Sequence, residues 1–326
     1  MRDHRIIRSR HFHKFQRQHF IIFDVLPFVG TLVALSLLFY RSIGAIDVAL
    51  FFTMWLVTGL GLTVGYHRLF THRAFSTGTA VSCLLIVMGS MAGRGPMLSW
   101  VAMHRRHHEL SDHEGDLHSP NLHGTTVLGR LRGFLHAHLT WMIEHDYPNV
   151  AHYVPDLMAE RTLVAVNRYY YAWVLLGLLI PAAIGGLATE SLWGAVSGLL
   201  WGGVVRMFVV EQTMSAINSV MHTFGARPYL TRDDHSRNLG VMAWLAWGEG
   251  WHNNHHAFPY SAAFGLRWFE FDVGYLFIRL LEATGLAWNV KVPSREKIAG
   301  RRVRGPAAAA SDLEGGPSTI PDTQGL

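Results

Sequence analysis

Three short stretches of the sequence set imidazoles at spacings that could gather around metal. His67-Arg-Leu-Phe-Thr-His72 places two rings five residues apart, His104-Arg-Arg-His107-His108 places three at i, i+3 and i+4, and His252-Asn-Asn-His255-His256 repeats that second pattern. Offsets of three and four put side chains on one face of a helix. His222 stands apart, with Asn218 four residues before it on the same helical face. Neutral imidazole is the commonest protein metal ligand and suits iron, zinc, copper and nickel. Eight histidines in three clusters, plus His222, exceed one tetrahedral zinc site and match two metal ions with four or five nitrogen ligands each.

Ligating imidazoles need their second nitrogen held, usually by a carboxylate. Asp112, Asp116 and Glu249 are the acids nearest the clusters in sequence and are the candidates for that role. His113 and His118, in SDHEGDLHSP, could orient a ligand or a bound water, whereas Asn253 and Asn254 read as spacers between ligands. The other histidines, such as His123, His138, His145 and His235, read as solvated or supporting side chains. The single cysteine, Cys83, excludes an internal disulfide, thiolate zinc fingers and iron–sulfur clusters ligated within this chain.

The elements that must carry these clusters are apolar. Of the 326 residues, 50% are hydrophobic and 16% charged, against about 25% charged in ordinary soluble domains. This is the balance of an integral membrane protein. Four runs, residues 21–40, 47–66, 169–187 and 193–210, are long and apolar enough to cross a bilayer, which takes about 20 residues of helix. Short links, RSIGAI and ATESL, join them as two hairpins. A fifth apolar run ends early at Gly93-Arg94-Gly95-Pro96, a break that marks an interfacial or core helix rather than a span. With that run not crossing, every histidine cluster falls on the side of the membrane where the chain starts.

Residues 100–168 and 214–290 are mixed and polar and form the cap, which ends in an amphipathic stretch, FDVGYLFIRLLEATGL, suited to an interface. Residues 1–20 read as a basic cytoplasmic tail that runs directly into the first span, with no cleavable signal peptide. Residues 301–326, rich in Pro, Gly, Ala and Ser, read as a disordered tail. The net charge of +5 and pI near 9.5 could point to nucleic acid, but the basic residues flank the apolar runs as positive-inside loops do. No nucleic-acid partner is expected. The termini and the clusters are expected on the cytoplasmic side.

Zinc on histidine could hydrolyse an ester or amide, given three protein ligands, an open position and a base. Two iron ions could instead activate O2 and attack a C–H bond that no general base can deprotonate. A nitrogen-rich site at the membrane face can receive a hydrocarbon chain leaving the bilayer. Location and ligand number together favour oxidation of lipid hydrocarbon.

HRLFTH, HRRHH, NSVMH (residues 218–222) and GEGWHNNHH resemble, in order and spacing, the histidine boxes of membrane fatty acyl desaturases of the stearoyl-CoA (delta-9) type. The likeness includes GPMLSWVAMHRRHH and SDHEGDLHSP and covers roughly residues 20–290. It implies an all-α integral membrane fold, with four transmembrane helices under a cytosolic helical cap that carries a His-rich di-iron site within residues 21–300. It implies nine iron ligands, His67, His72, His104, His107, His108, His222, His252, His255 and His256, with Asn218 reaching iron through water. The implied reaction uses two iron ions and O2 to introduce a cis double bond, at C9–C10, into a long-chain saturated acyl group, acyl-CoA first among carriers. In such enzymes the second span, two to three turns before its first histidine, lines the floor of the acyl tunnel; here Trp55 and Gly59 hold those positions.

Departures from the family pattern bear on the carrier. His145 and Asp146 stand where acyl-CoA members have a basic pair, Ala102 and Met103 replace a charged Arg-Asp pair, and Leu117 replaces a Pro. An acyl group on a membrane lipid therefore stays open beside acyl-CoA. The sequence has no haem segment of the HPGG kind, as in a fused cytochrome b5, and no GxGxxG loop. An external ferredoxin, cytochrome b5 or reductase is expected, with Arg130, Arg132, Arg227, Arg232 and Arg237 as a basic docking face. Two rival readings are a lipid hydroxylase built on the same site and a His-rich membrane metal transporter. The latter needs polar residues inside the spans, where Arg206 is the notable candidate.

Overall fold

The computed structural model describes residues 4–233 and 235–303. It is mostly helical, and four helices are long and apolar enough to cross a membrane. They are α1 (Arg10–Leu37), α2 (Ala45–Thr71), α6 (Tyr170–Thr189) and α7 (Leu192–Ser219). Between them lie α3 (Thr79–Ser90), α4 (Met97–Leu110) and α5 (Val127–Leu135), and after them come α8 (His252–Ala257) and α9 (Val273–Ala283). Three spans run past the sequence expectation, α1 starting at Arg10 and α2 and α7 ending at Thr71 and Ser219, and each of the three contains a stretch of wide, π-type turns. At 1.5 Å per residue, α3 is about 18 Å long, too short for a hydrocarbon core of about 30 Å. It packs instead against the wide-turn part of α2.

The wide stretch Leu199–Val205 of α7 is the hub of the bundle, packed by α1, α2 and α6. Arg206 follows it, fully buried, and donates through Nε to Gly202 O (3.2 Å), Nη1 to Met91 O (2.8 Å) and Nη2 to Gly177 O (3.1 Å). Those carbonyls belong to the ends or interiors of three helices, so Arg206 staples α3, α6 and α7. Its donors are spent on backbone, so the notable candidate for a transport pathway serves instead to hold helices together.

The basic N-terminal residues are folded rather than trailing. Ile6–Ile7 pair antiparallel with Tyr147–Pro148, and the Ser9 side chain caps α1 by accepting from His11 N. Arg8 holds Asp146 through Nε–Oδ1 (3.1 Å) and Nη2–Oδ2 (2.9 Å). Gln16, buried, reaches His145 O (3.0 Å) and His145 Nε2 (3.1 Å). At the other end Arg302 bridges to Tyr229, and Val303 N donates to Pro228 O at 2.9 Å. The rest of the expected C-terminal tail, 304–326, lies outside the described residues.

The amphipathic stretch expected at the interface is α9, capped by Asp272, whose carboxylate accepts from Tyr275 N at 2.9 Å. Arg68 on α2, with no exposure, donates to the same carboxylate at 2.9 Å and lies 3.9 Å over the Phe264 ring. This contact fixes the last turns of α2 to the cap.

Candidate metal centre

All nine expected ligands meet beneath the cap. His67, His72, His104, His108 and His255 offer five nitrogens within 4.8 Å of one another, and His107, His222, His252 and His256 offer four more under the same limit. The sets adjoin, with the His108 and His256 rings 4.7 Å apart. Each element contributes by its local geometry. α4 presents His104 and His108 to the first set and His107 to the second, while α8 sends His255 to the first and His252 and His256 to the second. His67 and His72 come from the end of α2, where His72 N donates to His67 O at 3.2 Å, a five-residue turn.

Within the first set, Nε2 atoms approach in a chain: His104 to His67 2.8 Å, His67 to His255 3.0 Å, His255 to His108 2.9 Å and His108 to His104 3.1 Å. In the second set His222 and His252 are 3.0 Å apart through Nε2. Imidazole–metal bonds of about 2.1 Å at near right angles put neighbouring nitrogens about 3.0 Å apart. The spacing is that of ligands around shared ions. His72 Nε2 and His256 Nε2 are buried with no hydrogen-bond partner, a costly state that a metal relieves.

Carboxylates hold the opposite ring nitrogens. Glu249 meets His67 Nδ1 at 2.7 Å, Asp116 meets His107 Nδ1 at 3.0 Å, Asp112 meets His222 Nδ1 at 2.8 Å, and Asp233 meets His256 Nδ1 at 2.8 Å. Nδ1 donates in each pair, which leaves Nε2 as the lone-pair donor. The acids are themselves braced. Thr63 donates to Glu249, Ser119 (2.6 Å) and Asn121 (3.0 Å) donate to Asp112, and Ser236 N (2.7 Å) donates to Asp233.

The electrostatics keep most of the ligands in metal-binding form; in His222 burial alone would lower the pKa, but the adjoining Asp112 raises it. Burial, reinforced by neighbouring imidazoles, holds His72, His104, His108, His252 and His255 well below the usual histidine range. Burial alone would raise Asp112, Asp116 and Asp233, but the adjoining His222, His107 and His256 and the hydrogen bonds hold all three well below the usual carboxylate range. The acids are thus ionised and most of the imidazoles neutral.

Sequence reasoning missed Asp233, because it looked for carboxylates beside the boxes and this one lies 23 residues before His256. The signal available was an acid in the polar loop TRDDHSRN, on the cap. Asn253 and Asn254 are not spacers. Asn253 Oδ1 accepts from Tyr229 N at 2.8 Å, and Asn254 Nδ2 donates to Glu270 (2.8 Å) and Phe264 O (2.8 Å), so both lock α8 into the cap. His118 is buried with its ring 4.4 Å from His107, whereas His113 Nδ1 turns to Ser111 O at 2.7 Å.

A cavity of about 350 Å³ adjoins the histidines, with His67, His104, His252 and Asn218 among its lining residues together with Phe12, Phe15 and Tyr171. Trp55 and Gly59 are not among its lining residues. They flank the Trp247 ring instead: Trp55 lies 4.9 Å from it, and a Cβ on Gly59 would sit 1.9 Å from the indole.

The family model for fatty acid desaturases matches residues 45–272. The chain belongs to the fatty acid desaturase family. It is 46% identical over 290 residues, 88% of this chain and 90% of the relative, to a hex-5-enoyl-[acyl-carrier protein] acetylenase of Moorena producens (strain JHB). It is 36% identical over 259 residues, 78% of this chain and 87% of the relative, to an sn-1 stearoyl-lipid 9-desaturase of Anabaena variabilis. To delta-9 acyl-lipid desaturase 1 of Arabidopsis thaliana it is 34% identical over 246 residues, 75% of each chain. As a fatty acid desaturase family member the protein is an oxidoreductase of the membrane, with an acyl substrate and an electron donor.

Proposed function

We propose that the protein is an O2-dependent di-iron desaturase that introduces a cis double bond, at C9–C10, into a long-chain saturated acyl group. The observation that carries this reading is the pair of nitrogen sets, five and four, opening onto one largely apolar cavity. His67, His72, His104, His108 and His255 would hold one iron; His107, His222, His252 and His256 would hold the other, with Asn218 on the cavity wall bound through water. Iron held there would supply the O2 activation that unactivated methylenes require. Glu249, Asp116, Asp112 and Asp233 fix the ligand rings, and the cavity walls exclude water and select which methylenes lie under the histidines. The net reaction takes two hydrogens from the chain, with O2, two electrons and two protons, and yields the alkene and two waters.

Of the carriers, we favour an acyl group on a membrane lipid over acyl-CoA. His145, held by burial to about 4 despite its hydrogen bond to Trp141 O, is neutral, and Asp146 is committed to Arg8. Neither residue at this position therefore offers a CoA phosphate a positive charge of its own. Phe15 and Tyr171, 49% and 58% exposed, flank the cavity beside two spans, where a lipid chain can enter sideways. A carrier-protein thioester is the second reading, supported by the 46% identical relative. Electrons come from a separate ferredoxin, cytochrome b5 or reductase, docking on the cytoplasmic cap where Arg130, Arg132 and Arg232 are exposed.

Expression in a host that lacks unsaturated fatty acids, followed by mass spectrometry of its lipids, tests this. A new cis-monounsaturated chain on glycerolipid, at a single position, is expected. A hydroxy-acyl product without unsaturation overturns the reaction, and unsaturation confined to acyl-CoA overturns the carrier.

A further inference from the structure

Arg94 lies between two glycines in left-handed backbone, Gly93 at φ 87° and Gly95 at φ 98°. A side chain at Gly93 would strike Met207, with a Cβ 2.8 Å from its Cε, and Gly95 N donates to the Tyr170 hydroxyl at 2.9 Å. Only glycine adopts such a pair of turns without strain. The result points Arg94 inward from the link between α3 and α4. Its side chain is 7% exposed, lines the cavity and forms an ion pair through Nη1 with Glu211 on α7, itself 4% exposed.

A guanidinium carries five N–H donors in a fixed fork. One nitrogen of Arg94 serves Glu211 and sits 3.8 Å from Met142 Sδ; among the described residues no oxygen pairs with Nε or Nη2. A saturated acyl chain has one hydrogen-bond acceptor group, the carbonyl at its carboxyl end. Asp24 lies on the same wall with Oδ1 unpartnered. Counting Arg94 against Glu211 and Asp24, the wall has no net positive charge, whichever protonation Asp24 holds. It therefore suits a neutral ester or thioester carbonyl and disfavours a free fatty-acid carboxylate.

We propose that Arg94 is a specificity-determining residue that grips the acyl carbonyl of an esterified substrate and so fixes how many carbons separate it from the histidine sets. Glu211 neutralises the guanidinium inside the membrane protein and leaves its remaining donors for the carbonyl. Fixing one end of a flexible chain at a set distance is what distinguishes one methylene pair from its chemically identical neighbours. This inference rests on the desaturase reading above.

The test uses the full-length protein in the host that lacks unsaturated fatty acids, fed stearic acid, with double-bond position and iron content both measured. Wild type places the bond at one position; Arg94→Met, with iron content unchanged, is expected to spread it over neighbouring positions, and Arg94→Lys to restore most of the wild-type position. Iron-loaded Arg94→Met with the single wild-type position overturns the proposal, since a purely structural ion pair would not set regiochemistry. Should Arg94→Met fail to accumulate, wild type offered a 1-O-octadecyl ether lipid, which lacks the carbonyl, decides. Conversion at least ten-fold slower than the ester, or at scattered positions, supports the carbonyl grip; equal rate and position refute it. Absence of any unsaturated product from wild type would instead remove the desaturase reading itself.

Discussion

His72 N donates to the carbonyl oxygen of His67, five residues earlier, at 3.2 Å, and the two rings lie 4.9 Å apart. In a regular α-helix, residues five apart point about 140° away from each other. The π-type turns of Gly61–Thr71 close that angle and place both rings in the same nitrogen set. Wide turns of this kind recur at functional sites.

That stretch depends on close contact with α3. A Cβ on Gly61 would lie 2.1 Å from Gly89 N, so Gly61→Ala must push α3 away. Overpacking of this kind costs about 1–3 kcal/mol. Gly61→Ala is expected to lower the melting temperature in detergent and to reduce iron content; unchanged values of both would show that the wide turns tolerate the shift.

Asp233 meets His256 Nδ1 at 2.8 Å, with both side chains 2% exposed. Loss of such a partner lowers metal affinity about 10–100-fold. Asp233→Ala is expected to release iron to a competing chelator within that range, whereas loss no greater than wild type would mean that His256 is oriented by packing alone.

The pattern of legibility follows from range. Spacing within one helix was readable: the i, i+3, i+4 triplets on α4 and α8 needed only helical periodicity, and the early end of the fifth apolar run let the clusters be expected to meet, as they do. Pairings that depend on the tertiary path were not. Asp233 reaches His256 through a loop of the cap, Trp247 inserts between Trp55 and Gly59 from a distant segment, and Arg94 finds Glu211 on another helix. Asn253 and Asn254 misled because polar residues between ligands can as easily lock backbone as fill space.

Iron should also hold the fold together. Two sets of buried imidazoles, with His72 Nε2 and His256 Nε2 unpartnered, are poorly satisfied without metal. Free iron at 100 times its dissociation constant stabilises the native state by about 2.7 kcal/mol. Chelation is expected to lower the melting temperature in detergent and iron to restore it; an unaffected transition would show that the histidine sets are held by the protein alone.

Trp55 touches Trp247 at 4.9 Å between ring centroids. If the pair sets how long a chain the protein accepts, Trp55→Ala shifts the product profile toward longer chains in lipid analysis. An identical chain-length profile would assign Trp55 to packing.

The number and identity of bound metals in the purified protein, by elemental analysis, is the most direct test of the central claim. Two iron ions per chain are predicted for the wild type, with His222→Ala falling toward one at normal protein levels. Zinc in place of iron, or a single ion per chain in the fully loaded wild type, would contradict it.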